Sequence, residues 1–180
     1  LLDNMERAKA ETTPAVYERI KGEVQFLRAY FYLMLTETWG DVPLVTKTLT
    51  LAEAQIPQTS KSAIVDFILK ELDEAIPALP VHIDANEWGR ISKGAALAIK
   101  ARTALYNNMY DIAAKAAKEV IDSGEYQIDD NFENLFKSAT QSNSKEMMFF
   151  ITYKEGYRTP GIVRGCTSRM GGGYSSKIPV

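Results

Sequence analysis

With 180 residues, of which 46% are hydrophobic and 24% charged, the chain is long enough for one domain with a real core. Its 21 basic and 23 acidic side chains leave a net charge of −2, which removes any broad electrostatic case for a nucleic-acid partner. No apolar run reaches the length of a membrane span, and a single cysteine, Cys166, excludes an internal disulfide.

The chain opens on LLDNMERAKA without an initiator Met and closes on SSKIPV, so both ends read as cut and the sequence as a fragment. Residues 1–12 read as the tail of one helix or a lead into the next, with Leu2, Met5 and Ala8 or Lys9 loosely periodic. The stretch that follows organises the rest. Val24, Phe26, Leu27, Ala29, Tyr30, Phe31, Tyr32, Leu33, Met34 and Leu35 make a helix apolar almost all the way round, which predicts that other elements enclose it. Thr13 is its expected N-cap with Pro14 in the first turn, and Gly40, Asp41 and Pro43 its stop. From Thr13 to Thr38 such a helix is roughly 37 Å long. Gly22 inside it, which costs about 1 kcal/mol against Ala, points to a close helix crossing.

Residues 42–48 read as a short extended segment and residues 50–59 as a loop closed by Pro57. Ser60 or Ser62 then caps a second helix. In it Val65, Ile68, Leu69, Leu72, Ile76 and Leu79 recur at three- and four-residue spacings, with Glu71, Asp73 and Glu74 on the solvated face. Pro77 and Pro80 end it, and residues 80–90 form a polar loop with Trp88 and the only histidine, His82. Ser92 caps a third helix, whose Ala95, Ala96, Ala98, Ala101 and Ala104 admit a close neighbour. After a break at residues 107–111, Ala113, Ala116, Ala117, Val120 and Ile121 mark a fourth helix, with Gly124 as left-handed C-cap. The last two helices make a hairpin close to the tetratricopeptide unit of about 34 residues. The first two are joined by a connection too long for a repeat turn. Residues 126–136 read as an irregular packed segment, residues 138–144 as a polar loop and residues 146–153 as a buried strand. Residues 154–180 follow neither period.

Catalytic chemistry finds little support in these residues. His82 has no G-x-S-x-G turn to work with, and a loop histidine is ordinarily just solvated. His82 and Cys166 are not a zinc ligand set, and Asp84, Asn86, Glu87, Asp129 and Asp130 lack calcium-loop spacing. The run Gly171, Gly172, Gly173 has no following Lys and Ser or Thr, so it is no phosphate loop. No catalytic residue, metal or cofactor is expected.

The feature that suggests a ligand is a set of aromatic side chains among polar ones. Tyr153, Tyr157 and Tyr174 are accompanied by Arg158, Arg164, Arg169 and Ser175, a mixture that suits sugar rings stacked on aromatic faces with hydroxyls hydrogen-bonded around them. The arginines would favour an anionic sugar unless they pair internally. The other role open to these tyrosines is packing against chain outside the fragment. Trp88, beside Asn86, is the second candidate. Trp39 reads as structural, and Arg28 and Arg102 as cations paired with a carboxylate or carbonyl.

Several blocks, in order, resemble one family. Gly22 and Glu23, the run from Phe26 to Tyr30, Tyr32, and the run from Gly40 to Leu44 resemble the opening signature of the SusD/RagB family. Asp66, Ile68, Leu72 and residues 75–80 resemble its second block, with Glu71 where Asp is more usual. Gly89, Arg90, residues 93–96, residues 100–102, Leu105 and Tyr106 resemble its third, with Ile91 and Ser92 a departure from it. The likeness runs on through Ala113, Ala117, Val120, Ile121, Ser123, Gly124 and Tyr126 to Phe132, Leu135, Phe136 and Glu146.

The resemblance implies a mainly α fold of TPR-like antiparallel helix pairs, with irregular loops and a short buried strand. Residues 1–180 would be one fragment of a larger domain: a helical core at 13–124 and a loop-and-strand region at 125–180 completed by chain outside the fragment. It implies a non-catalytic outer-membrane lipoprotein on the external face of the cell, capturing oligosaccharide or polysaccharide for a SusC-like TonB-dependent transporter. The membrane would be met only through an N-terminal lipid anchor outside the fragment, on a cysteine other than Cys166. Glycan-binding positions are not part of the family's shared motifs, so Tyr153, Tyr157, Arg158, Arg164, Tyr174 and Trp88 rest on the residue reading alone. The alternative function is a TPR-type scaffold gripping a peptide; an all-α enzyme would need a titratable cluster that the chain lacks.

Overall fold

Thr13 opens the first long helix, α1 (Pro14–Trp39), its side chain accepting from the Val16 N–H, with Pro14 in the first turn. Gly40, at φ 74°, closes it. The structure is a computed structural model and describes residues 2–137, 140–141 and 144–151. Ser60, the first of the two expected caps, starts α2 (Lys61–Ala75), and Ser92 starts α3 (Lys93–Tyr106). A three-residue link leads to α4 (Tyr110–Ser123), which ends on Gly124 in the left-handed conformation, φ 68° and ψ 2°. Short 3-10 turns occupy Leu2–Ala8, Leu51–Glu53, Ile76–Ala78, Ala85–Glu87 and Phe132–Leu135.

The helices pair antiparallel. Gln25 reaches Glu74, Arg28 reaches Glu71 and Glu37 reaches Lys61, so α1 and α2 run in opposite directions. The α3–α4 hairpin makes the second pair. One compact unit spans Leu1–Phe149; a second, Phe150–Val180, contributes only residues 150 and 151 to the described set, neither in a helix or strand.

The enclosed helix is α2, not α1. Its Ile64, Ile68, Leu72 and Ala75 meet Phe26, Ala29 and Leu33 of α1 and Ala95, Ala96 and Ile99 of α3 in the main core. Its Val65 and Leu69 form a second cluster with Ala104 and Ala113 of the hairpin. Fully burying each of the Val, Leu, Ile and Phe side chains among these contributes about 1.5–3 kcal/mol. α1 is open along part of its length: Phe31 is 60% exposed, Met34 51% and Trp39 69%. The expectation of an enclosed α1 therefore fails within this unit: α2 and α3 cover its Phe26–Ala29–Leu33 side and the Leu2–Ala8 turn covers Tyr17, while the side with Phe31, Met34 and Trp39 stays open among the described residues.

The close crossing expected at Gly22 is present. A Cβ there would lie 3.1 Å from the Ala75 carbonyl oxygen and 3.3 Å from the Ala78 Cβ. Glu71 departs from expectation: it is 5% exposed rather than solvated, and its carboxylate takes Arg28 Nε at 2.8 Å and Nη2 at 2.6 Å. Arg28 also donates to the Thr46 carbonyl, as the pairing expected of it requires, whereas Arg102 is exposed on α3.

The buried strand at residues 146–153 is not found in its described part. Residues 146–151 make no ladder, since a strand needs a neighbour and their segment offers only the Lys145 carbonyl to the Gln127 N–H nearby. Phe149 packs instead as a side chain, edge-on to Phe26 and Tyr30 at 5.0 and 5.2 Å between centroids. Residues 42–48 likewise give one antiparallel bridge, Val42 to Thr59, rather than a strand. In the segment after α4, Phe132 and Phe136 meet edge-on but stay exposed, so that segment is less packed than its composition suggests.

Candidate functional site

Of the six residues expected to touch a glycan, the described structure places one. Tyr153, Tyr157, Arg158, Arg164 and Tyr174 lie outside the described residues, as do Arg169 and Ser175. Trp88 is described, half-buried, in the loop between α2 and α3.

That loop is short of backbone hydrogen bonds and rich in charge. The Pro80 carbonyl accepts from the Lys93 N–H at 2.7 Å, closing its base. Within it, Glu87 N–H donates to the Asp84 carbonyl and Arg90 N–H to the Glu87 carbonyl. Gly89, at φ 95°, takes a backbone conformation that side chains resist, and so turns the chain directly after Trp88. Ile91 is buried and anchors the far end in the main core.

Side chains tie this loop to α1. Glu87 Oε2 accepts from Arg19 Nη2 at 2.9 Å and Oε1 from Arg90 Nη1 at 2.8 Å. Glu23 Oε2 accepts from Arg90 Nη2 at 2.8 Å and Oε1 from Arg19 Nε at 3.3 Å. The two carboxylates and two guanidiniums thus alternate around a closed ring. The Arg19 bond holds the Glu87 carboxyl below its ordinary range, and the Glu23 bond raises the Arg90 guanidinium above its own.

Among the described residues, concave sites also lie elsewhere on the helices, and sequence reasoning named none of them. A cavity of about 360 Å³ is lined by Val81, Gly94, Leu97, Val120 and Tyr126, with Glu119 and Asp122 at its edge. Tyr126 Oη bonds the Ser92 hydroxyl at 2.7 Å, and the ring lies where a Gly94 Cβ would be, 2.2 Å from its Cε2. Glycine in the first turn of α3 was the available signal. A smaller polar hollow of about 240 Å³ is lined by Asp3, Arg28, Thr46, Lys47 and Thr48. The Thr48 N–H and hydroxyl both bond Asp3 and lower its pKa.

His82 is exposed, as expected of a loop histidine, with Nδ1 3.3 Å from Glu125. Among the described residues no three His, Cys, Asp or Glu side chains gather closely enough to hold a metal ion. Nor is any described helix long and apolar enough to cross a membrane.

Comparison with known proteins places this architecture. Residues 1–106 match the SusD-like family model described as starch-binding and associating with the outer membrane. The chain is similar to SusD-like protein P25 of Formosa agariphila, 26% identical over 146 residues, which are 81% of this chain and 28% of that protein. Its fold superposes on a SusD-like carbohydrate-binding protein of Bacteroides fragilis with a TM-score of 0.81 at 33% identity, covering 85% of this chain and 30% of that one. It also superposes on surface glycan-binding protein A of Bacteroides thetaiotaomicron, solved in complex with laminarihexaose. There the TM-score is 0.69 at 26% identity, over 79% of this chain and 30% of that one. This chain therefore spans under a third of the length of these relatives. With the family model matching more than half of its residues, the chain belongs to the SusD-like family.

Proposed function

We propose that the protein is a non-catalytic receptor that captures oligosaccharides at the external face of the outer membrane, held there by a lipid anchor, for import through a SusC-like TonB-dependent transporter. The observation that carries this reading is the fold match to a glycan-binding protein solved with laminarihexaose. It is supported by the family description and by the likeness to the carbohydrate-binding protein of Bacteroides fragilis. A scaffold of paired helices with loops between them suits the task, because a rigid core can present aromatic loop residues without chemistry of its own. In this reading Tyr153, Tyr157, Arg158, Arg164 and Tyr174 are one candidate stacking and hydrogen-bonding set, and Trp88, beside Asn86 in sequence, is a second and separate candidate. A neutral glucan is the ligand class to test first, with acidic oligosaccharides second because of Arg158 and Arg164.

The test is retention on immobilised laminarin, starch and an acidic polysaccharide, for the protein and for Trp88→Ala, Tyr157→Ala and Tyr174→Ala. Retention lost in any of these variants with helicity intact supports the receptor and locates its site. Retention unchanged in all three keeps the receptor and removes these residues from the site. Absence of retention on every polysaccharide counts against the reading and favours a peptide-binding scaffold built on the α3–α4 hairpin.

A further inference from the structure

We infer that Arg19, Glu23, Glu87 and Arg90 form an electrostatic clasp that fixes the Trp88 loop against α1, which makes them positioning residues for the aromatic face the loop presents. The consequence for ligand binding rests on the glycan reading of Trp88; the clasp itself does not.

The geometry supports a dedicated device rather than scattered surface pairs. Each carboxylate spends one oxygen on each guanidinium, so four bonds of 2.8 to 3.3 Å close a ring with no net charge. Two members, Arg19 and Glu23, stand one turn apart on α1 and are fixed by that helix. The other two, Glu87 and Arg90, bracket Trp88 and Gly89 in sequence, so the ring closes across the turn that carries the indole.

Side-chain exposures run from 15% at Glu23 to 38% at Arg90, low enough for the charges to escape full solvent screening. Because every member has two partners, removing one leaves an uneven triad. An isolated exposed pair, by contrast, contributes little.

Backbone bonds do not supply this tie. The two turn bonds and the link from Pro80 to Lys93 all stay within the loop and its base, and none of the three reaches α1. The core beneath is held independently by Phe26, Ile64, Ile68 and Leu72, all fully buried. Breaking the ring is therefore expected to free the loop while the helices stay folded.

The experiment reads Trp88 by fluorescence, with the exposed Trp39 replaced by Phe so that one indole reports. Glu87→Gln and Arg90→Gln should each raise the acrylamide quenching of Trp88 about twofold, as a half-buried ring becomes mobile, with far-UV circular dichroism unchanged. Salt at 1 M, where the screening length is about 3 Å, should raise quenching in the parent and raise it less in either variant, which keeps one ion pair between α1 and the loop. The fourfold reversal Arg19→Glu, Glu23→Arg, Glu87→Arg and Arg90→Glu keeps the alternation and should restore parental quenching.

Quenching insensitive to salt and to both single variants, even with a lowered Tm, would make the ring merely structural and overturn the clasp. So would a fourfold reversal that folds but fails to restore protection. None of these readings uses a sugar, so a protein that binds no glycan would defeat the function proposed above and leave the clasp standing.

Discussion

Gly94→Ala is the substitution whose effect follows most directly from the coordinates. The new Cβ would lie 2.2 Å from Tyr126 Cε2, 2.4 Å from its hydroxyl and 2.5 Å from Cζ. Carbon atoms pack at about 3.5–4.0 Å, so the ring must retreat by more than an ångström. Retreat breaks the 2.7 Å bond between Tyr126 and Ser92, a loss of about 0.5–1.5 kcal/mol, and withdraws part of the ring from α3 and α4. Ser92 keeps its capping bond to the Ala95 N–H, so α3 itself should survive. Against these losses stands a gain of up to about 1 kcal/mol from replacing a helical glycine. With overpacking itself costing about 1–3 kcal/mol, the balance is a destabilisation of up to about 2 kcal/mol, measured by urea unfolding with an unchanged m-value. Repeating the change in a Tyr126→Ala background isolates the cause: there Gly94→Ala should be neutral or stabilising. An equal loss in both backgrounds would refute the reasoning, since the cost would then not come from Tyr126.

Other changes have equally direct readouts. Glu71→Ala strands the Arg28 guanidinium beside a buried site and should cost about 2–4 kcal/mol in urea unfolding, while Glu71→Leu with Arg28→Met should recover most of it. Gly22→Ala pushes a methyl to 3.1 Å from the Ala75 carbonyl, a backbone atom with little room to yield, and should lower stability by about 1–2 kcal/mol in the same assay. Acid stability follows from the depressed carboxyls. Glu87 is lowered chiefly by Arg19, Asp3 by Thr48 and Glu53 by Lys47. A carboxyl with a folded-state pKa below its unfolded value stabilises fully above the unfolded pKa and loses that contribution as pH falls through the folded one. The Tm should therefore hold from neutral pH down to the ordinary carboxylate range and fall below it. Glu87→Gln should lessen the fall, most visibly at low salt.

Local signals were the legible part of the fold. Thr13, Ser60 and Ser92 cap helices and Gly40 and Gly124 end them, because capping depends on a few adjacent atoms and leaves a residue-level trace. The apolar periodicity of α2 also located its core face. What depends on distant partners was harder to read. Glu71 sits on a helix rich in acids and looked solvated, but Arg28, on another helix, draws it inside. Apolarity around α1 implied enclosure, yet α2 holds the centre because it is the helix flanked by both α1 and the α3–α4 hairpin. A run of hydrophobic residues at 147–151 has strand composition but no ladder partner among the described residues.

The candidate site was legible only as residue types. Trp88 stands out in a polar loop, but the ring that holds it draws on residues far apart in sequence. Its parts were nonetheless in view. Glu23 belongs to the opening block that resembles the family and Arg90 to the third, and the structure joins them at 2.8 Å.

Calorimetric titration of the protein with laminarihexaose, a maltooligosaccharide of matching length and an acidic oligosaccharide tests the receptor assignment most directly. The account predicts saturable binding to at least one of the three by a protein with intact helicity, weakened by Trp88→Ala or by a tyrosine substitution at 153, 157 or 174. A folded protein that releases no heat with any of them, across concentrations reaching the millimolar range, about −4 kcal/mol of binding free energy, would contradict it.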